Sequence, residues 1–146
     1  MSSAQSLRHH GEVDVASSVT KVTDILVGEQ LPHQISADGE TCRLRFDSAE
    51  IFIDFNVWQD DGVVITVHSI VQDFDPESPG AAQALNLLND LNRSYFFVKF
   101  VFRDGLLIAR RDLLGDTLSP AELVSALYEV AGASNRLRDE LGSLAR

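Results

Sequence analysis

The sequence predicts an α+β domain in the order α-β-β-β-α-β-β-α, with a mainly antiparallel five-stranded sheet covered by helices on one face. Three observations predict it. Apolar residues recur at helical spacing at both ends of the chain, period-two alternation fills the segments between, and Asp-Gly pairs punctuate two of the strand runs. The 146 residues suit one domain, divided into a flexible N-terminal tail over 1–11 and a folded unit over 12–146.

The first helix begins near Glu12, because Val15, Val19, Val22 and Leu26 recur at spacings of four, three and four, and Gly28 closes it. Three strands follow. Thr41–Asp47 alternates Cys42, Leu44 and Phe46 against Thr41, Arg43 and Arg45. Glu50–Trp58 alternates Ile51, Ile53, Phe55 and Val57 against Glu50, Phe52, Asp54, Asn56 and Trp58. Val63–Val71 comes after Asp60-Asp61-Gly62, a hairpin signal.

Asp75-Pro76 and Ser78-Pro79-Gly80 break the chain before a second helix from Ala81 to about Arg93, with Leu85, Leu88 and Leu91 along one side. Two more strands, Tyr95–Arg103 and Leu106–Asp112, flank the turn Asp104-Gly105. The last helix opens on a capping box, with Ser119 at the N-cap, Pro120 at the first helical position and Glu122 three residues after the cap. Leu123, Leu127, Val130, Ser134, Leu137, Leu141 and Leu144 make a heptad seam with one polar interruption. Gly132 and Ser134 leave room for a kink or an end. The seam packs on its own sheet or first helix, or takes a coiled-coil partner.

Little in the sequence points to catalysis. One cysteine, Cys42, allows no internal disulfide and reads as a small buried hydrophobe in a reducing cytoplasm. His9, His10, His33 and His68 have no carboxylate or cysteine at metal-ligand spacing. The run Asp73–Ser78 lacks the central glycine and distal glutamate of a calcium loop. No phosphate-binding glycine loop or nucleophile elbow is present. The expectation is a non-enzyme without cofactor or metal.

Charge narrows the partners. Twenty-two acids against twelve bases give −10, which repels a phosphate backbone and disfavours nucleic acid. The excess lies in residues 1–80, either as a solvated surface or as a surface for a basic partner. No run of 18 apolar residues exists, so no membrane span is expected.

If Ile51, Ile53, Phe55 and Val57 face the helices, Phe52 and Trp58 fall on the other face with Asp54 and Asn56. In the fourth strand Phe96, Val98, Phe100 and Phe102 make the core side, leaving Tyr95, Phe97, Lys99 and Arg103 outside. Candidate partner-binding residues are therefore Phe52, Trp58, Tyr95, Phe97, Lys99, Arg43 and Arg45, an aromatic patch among charges. The alternative is that these aromatics are scattered or covered.

Leu88-Asn89-Asp90-Leu91-Asn92 ending a helix, the aromatic strand from Tyr95 to Phe102, the turn Asp104-Gly105, the strand Leu106–Arg111 and Ser119-Pro120-Ala121-Glu122-Leu123 resemble the type III secretion chaperone-like fold. The size, the element order and the acidic pI of about 4.6 agree. Within that fold the chain is similar to the bacterial YbjN family, of sensory-transduction-regulator or peptide-binding-chaperone type, over residues 12 to 146. The resemblance implies no catalysis, and a cytoplasmic domain that binds a protein or peptide client or itself as a homodimer through sheet and helix surfaces. Burial of a partner's apolar side chains or edge-strand addition, with an acidic rim selecting basic partners, is the expected mechanism. The alternative is a small-molecule-sensing module with a pocket of at least roughly 300 Å³ between helices and sheet.

Overall fold

The computed structural model describes residues 3–58 and 62–144, with side-chain surroundings from residue 15 onward. Helix α1 spans Ser3–Gly28 and is followed by strands β1 His33–Ile35, β2 Thr41–Phe46, β3 Ala49–Val57 and β4 Val63–Asp73. Helix α2 covers Ala81–Ser94, strands β5 and β6 cover Lys99–Arg103 and Leu106–Leu114, and α3 covers Pro120–Leu144. Backbone helix thus extends through 3–11, where the sequence suggests a tail. The sheet has six antiparallel strands in the order β1-β2-β3-β4-β6-β5, one more than expected. The extra strand, β1, is three residues long and partly exposed, too short for alternation to register.

Helix α3 lies across β2, β3, β4 and β6, α1 lies against β3 and β4, and α2 against β5 and α3. Their apolar sides meet one sheet face. There Cys42, Ile51, Ile53, Ile65, Val67 and Leu107 are completely buried against Val22 and Leu26 of α1 and Leu123, Leu127, Val130 and Leu137 of α3. Each such leucine or isoleucine contributes on the order of 1.5–3 kcal/mol by leaving water. The heptad seam is therefore used on the chain's own sheet, and α3 runs unbroken past Gly132. Its polar interruption has a partner: the hydroxyls of Ser134 and Ser69 on β4, both fully buried, lie 3.0 Å apart. The predicted cap also forms, as Ser119 Oγ accepts from the Glu122 N–H at 3.2 Å.

The turns follow backbone chemistry. Asp104 and Gly105 adopt φ 53° and 76°, the left-handed pair of a tight hairpin that Asp-Gly favours. Asp47 and Ser48, at φ 49° and 69°, make a second such turn that their sequence does not announce. An Asn135 side-chain N–H from α3 donates to the Asp47 carbonyl at 2.8 Å and ties it to the core. Of the Asp60-Asp61-Gly62 signal, the two aspartates lie outside the described residues. Gly62 has φ 82°, and its carbonyl accepts from the Trp58 N–H at 2.9 Å.

The main departure is at the fourth expected strand. Pairing begins only at Lys99, so residues 95–98 form a connection and strand alternation does not govern them. Val98 and Phe100 are buried as expected. Phe96, expected in the core, is 90% exposed, and Phe102 is 41% exposed while keeping an edge contact with Phe74 at 4.9 Å. Helix α2 explains the offset. Asn92, in its last turn, donates to the Phe100 carbonyl at 2.9 Å and accepts from the Phe100 N–H at 2.7 Å. It acts as a one-residue strand partner for the β5 edge. Along the helix, Ala81, Ala84, Leu88 and Leu91 form the buried side, whereas Leu85 is turned outward.

Candidate functional site

With all three helices on one side, the opposite face of the sheet is left uncovered, and cross-strand register fixes what it presents. Arg43, Phe52, His68, Arg110 and Lys99 stand side by side across β2, β3, β4, β6 and β5. Thr41, Asp54, Thr66 and Asp112 form the neighbouring level, and Asn56, Val64 and Leu114 the one beyond it. On the other side of the arginine level lie Arg45 and Glu50, and Ile70, Ile108 and Val101.

A polar network holds the middle of this face. The Asp54 carboxylate meets His68 Nε2 at 2.8 Å and accepts from Thr41 Oγ1 at 2.9 Å. The hydrogen bond from His68, reinforced by Thr41 and by the charge of Arg110, holds the Asp54 carboxyl below the usual carboxylate range against the opposing effect of burial. Phe52 stacks on the His68 ring, centroids 5.5 Å apart. Asp112 accepts from Thr66 Oγ1 at 2.7 Å and from Arg110 at 2.9 and 3.2 Å. Arg43 pairs with Glu50.

Beside the network the face becomes apolar and concave. A cavity of about 570 Å³ is lined by Val57, Trp58, Val64 and Leu114 with Thr66 and Asp112 at its polar side. A shallower depression of about 170 Å³ adjoins it between Val101, Ile108, His68 and Arg110. Trp58 is 58% and Leu114 53% exposed, although both are large hydrophobes. Such surface on a sheet face is suited to burying a partner's apolar side chains.

The sequence-predicted candidates divide between two sides of the molecule. Phe52, Lys99, Arg43 and Arg45 are on the uncovered face, and Trp58 is at its apolar end. Tyr95 and Phe97 are not with them. Tyr95 packs edge-on against the buried Phe100 at 5.4 Å beneath Arg136 of α3. Phe97 lies 4.8 Å from the guanidinium of Arg111, which points to the helix side and pairs with Glu129 of α3 at 2.9 Å. Their displacement follows from the late start of β5. The sequence reading in turn omits Val64, Leu114, Val101, Ile108 and Arg110. The signal was present in Leu106, Ile108, Arg110, Asp112 and Leu114, which share one side of β6, but only strand order shows which neighbours they meet.

The charge of the face also differs from expectation. Among the described residues it carries Arg43, Arg45, Lys99, Arg103 and Arg110 against Glu50, Asp54, Asp112 and, at the rim, Asp73. It is not an acidic surface, despite the chain's net charge of −10. Elsewhere, burial pushes the Cys42 thiol up to about 11, so it is held as an unreactive core side chain. Among the described residues no group of three His, Cys, Asp or Glu is placed to hold a metal ion, and no helix is long and apolar enough to cross a membrane.

A helix-backed antiparallel sheet with one open face and this element order defines a protein of the type III secretion chaperone fold class. Residues 15–145 match the model of the family described as T3SS (YopN, CesT) and YbjN peptide-binding chaperone 1, TY-Chap1, and the chain belongs to that family. Solved structures agree on the fold. YbjN from E. coli superposes with a TM-score of 0.62 at 12% identity, over 87% of this chain and 92% of that one. The ExsC–ExsE complex gives 0.63 at 14% identity, over 86% and 93%. The Yersinia pestis type III secretion chaperone SycH, in complex with a stable fragment of YscM2, gives 0.56 at 9% identity, over 82% and 98%. No curated protein matches the sequence.

Proposed function

We propose that residues 12–146 form a non-enzymatic, cytoplasmic chaperone-like or adaptor domain that receives a segment of another polypeptide on its uncovered sheet face. The observation that carries this reading is the 570 Å³ apolar depression at Trp58, Val64 and Leu114, beside a central network of Asp54, Thr66, His68 and Asp112 that is already hydrogen-bonded. A ligand there buries apolar side chains without breaking the polar lattice. The sheet supplies a rigid platform, so no ordering of the platform itself opposes binding.

The family description, a peptide-binding chaperone, supports this reading, as do structural neighbours solved as complexes with protein partners. Strand addition at β5 is less favoured, because Asn92 already occupies the Phe100 backbone groups. A small-molecule pocket between helices and sheet finds less support. Ile51, Ile53, Leu127 and Val130 fill that space, and the cavities above 300 Å³ open on the outer face or near β1. Self-association has a separate candidate surface in Phe96 and Phe97, 90% and 65% exposed in the connection before β5.

An array of 15-residue peptides of varied sequence tests the reading. Wild-type protein is expected to retain a subset, and Trp58→Ala and Leu114→Asp, checked by circular dichroism to remain folded, are expected to lose at least tenfold of that binding. Equal retention by both folded variants excludes this face.

A further inference from the structure

The uncovered face is divided along the strands. Its cations gather at one end, in the levels of Phe52 and Glu50 and beyond, where Arg43, Arg45, Lys99, Arg103 and Arg110 lie. Its apolar depression is at the other, in the levels of Asn56 and Trp58, with Arg110 and its partner Asp112 on the border between them. Three of the four carboxylates on this face are engaged, and the fourth, Asp73, lies at the rim on the level of Arg103. Glu50 is paired with Arg43, Asp112 with Arg110 and Asp54 with His68. Among the described residues Arg45 has no ion-pair partner, Lys99 donates only to the Tyr95 carbonyl at 3.5 Å, and Arg103 has only the solvent-exposed Asp104 at 3.7 Å. Three cations are left to meet a ligand on a chain whose overall charge is −10.

Resting on the peptide-binding reading above, we infer that this face selects acidic client segments: an extended stretch with two or three Asp or Glu residues and a bulky apolar residue about four positions away. The spacing comes from the strands themselves. Phe52 and Asn56 are four residues apart, roughly 13 Å at about 3.3 Å per residue, so an extended ligand running along them spans the two ends with about four residues. Its carboxylates meet Arg45 on one flank and Lys99 or Arg103 on the other, exposed positions where charge contributes orientation and association rate, while the apolar side chain enters beside Trp58 and contributes burial. A basic segment meets unneutralised cations and is disfavoured. This reverses the preference that net charge alone suggests.

The chain's single tryptophan, Trp58, lines the depression and reports directly on its occupancy. Three synthetic 12-residue peptides with the same Leu and Ile anchors serve as probes, carrying Glu, Gln or Lys at the intervening positions, with fluorescence titration at low and high salt. The Glu peptide is expected to shift Trp58 emission and to bind at least tenfold more tightly than the Lys peptide, with the advantage shrinking by 0.5 M salt as screening shortens the reach of each charge. Arg45→Glu combined with Lys99→Glu, both exposed positions, is expected to abolish or invert that order without altering the circular dichroism spectrum. Equal binding of all three peptides, lost in Leu114→Asp, which keeps the Trp58 reporter, leaves the peptide-binding reading standing and overturns the acidic selectivity. Binding of the Glu peptide that the double charge reversal leaves unchanged also overturns it. Absence of any response to all three peptides overturns both.

Discussion

The two faces of the sheet are built from the same strands on opposite principles. On the covered face, shape and volume decide. Ile51, Ile53, Ile65, Val67 and Leu107 are sealed by α1 and α3, and the Ser69–Ser134 pair is a fully buried polar contact between strand and helix there. On the uncovered face, Arg, Asp, His and Thr side chains neutralise one another across strands, and Trp58, Val64 and Leu114 are left half-wet. The difference teaches that the first face holds the domain together and the second is available for contact. Truncating a side chain must therefore have very different costs on the two faces.

The largest effect is expected from Leu127→Ala, at the centre of α3 and fully buried. Loss of transfer energy plus the residual cavity costs about 2–5 kcal/mol. Val64→Ala, on the same sheet but only partly buried on its other side, is expected to cost less than about 1 kcal/mol. Urea unfolding of both variants measures the contrast, and similar midpoint shifts would mean that the outer face also carries stability.

The polar contacts sharpen the comparison at a smaller scale. Ser134→Ala strands the buried Ser69 hydroxyl without a partner, at an expected cost of about 1–3 kcal/mol. Adding Ser69→Ala removes the orphaned group, so the double variant is expected to recover part of that loss. A double variant less stable than the sum of the single ones shows that the pair serves packing and not mutual satisfaction. Nothing comparable is expected for Thr66→Val on the outer face, where water can reach Asp112.

How far the two faces were legible in the sequence depended on the strand. In β3 and β2 strict alternation names both faces, because side-chain direction there follows residue parity alone. At residues 95–98 parity fails, since these residues are not in a ladder. What displaces the strand start is Asn92 holding the Phe100 backbone, a tertiary contact across eight residues that no local pattern encodes. β1 escapes because three residues show no period. The outer site was half visible: Phe52, Trp58, Arg43, Arg45 and Lys99 come from parity, but Val64 and Leu114 join Trp58 only once β4 is known to pair with β6. Net charge misled for a related reason. It sums the whole chain, whereas the charge of a face depends on which residues the register brings together.

The smallest expected effect concerns the outer polar network itself. Asp54 is held below its ordinary range by His68 and Thr41, so its folded carboxyl stays ionised to lower pH than an unfolded one. Stability from this source is fully present above the unfolded value, about pH 4, and is lost as pH falls through the lower folded value. The side chain is about a third exposed, so solvent screening limits the contribution to less than about 1 kcal/mol. Asp54→Asn keeps the shape and removes the charge. Its urea midpoint is expected to lie slightly below wild type at pH 5, with the two converging as pH falls from 4 towards 2. A gap that persists unchanged to pH 2 assigns the loss to altered hydrogen bonding around Thr41 and not to the carboxylate. A gap absent already at pH 5 shows that the outer network contributes no stability, and that its paired charges serve only to keep the face orderly for whatever docks beside it.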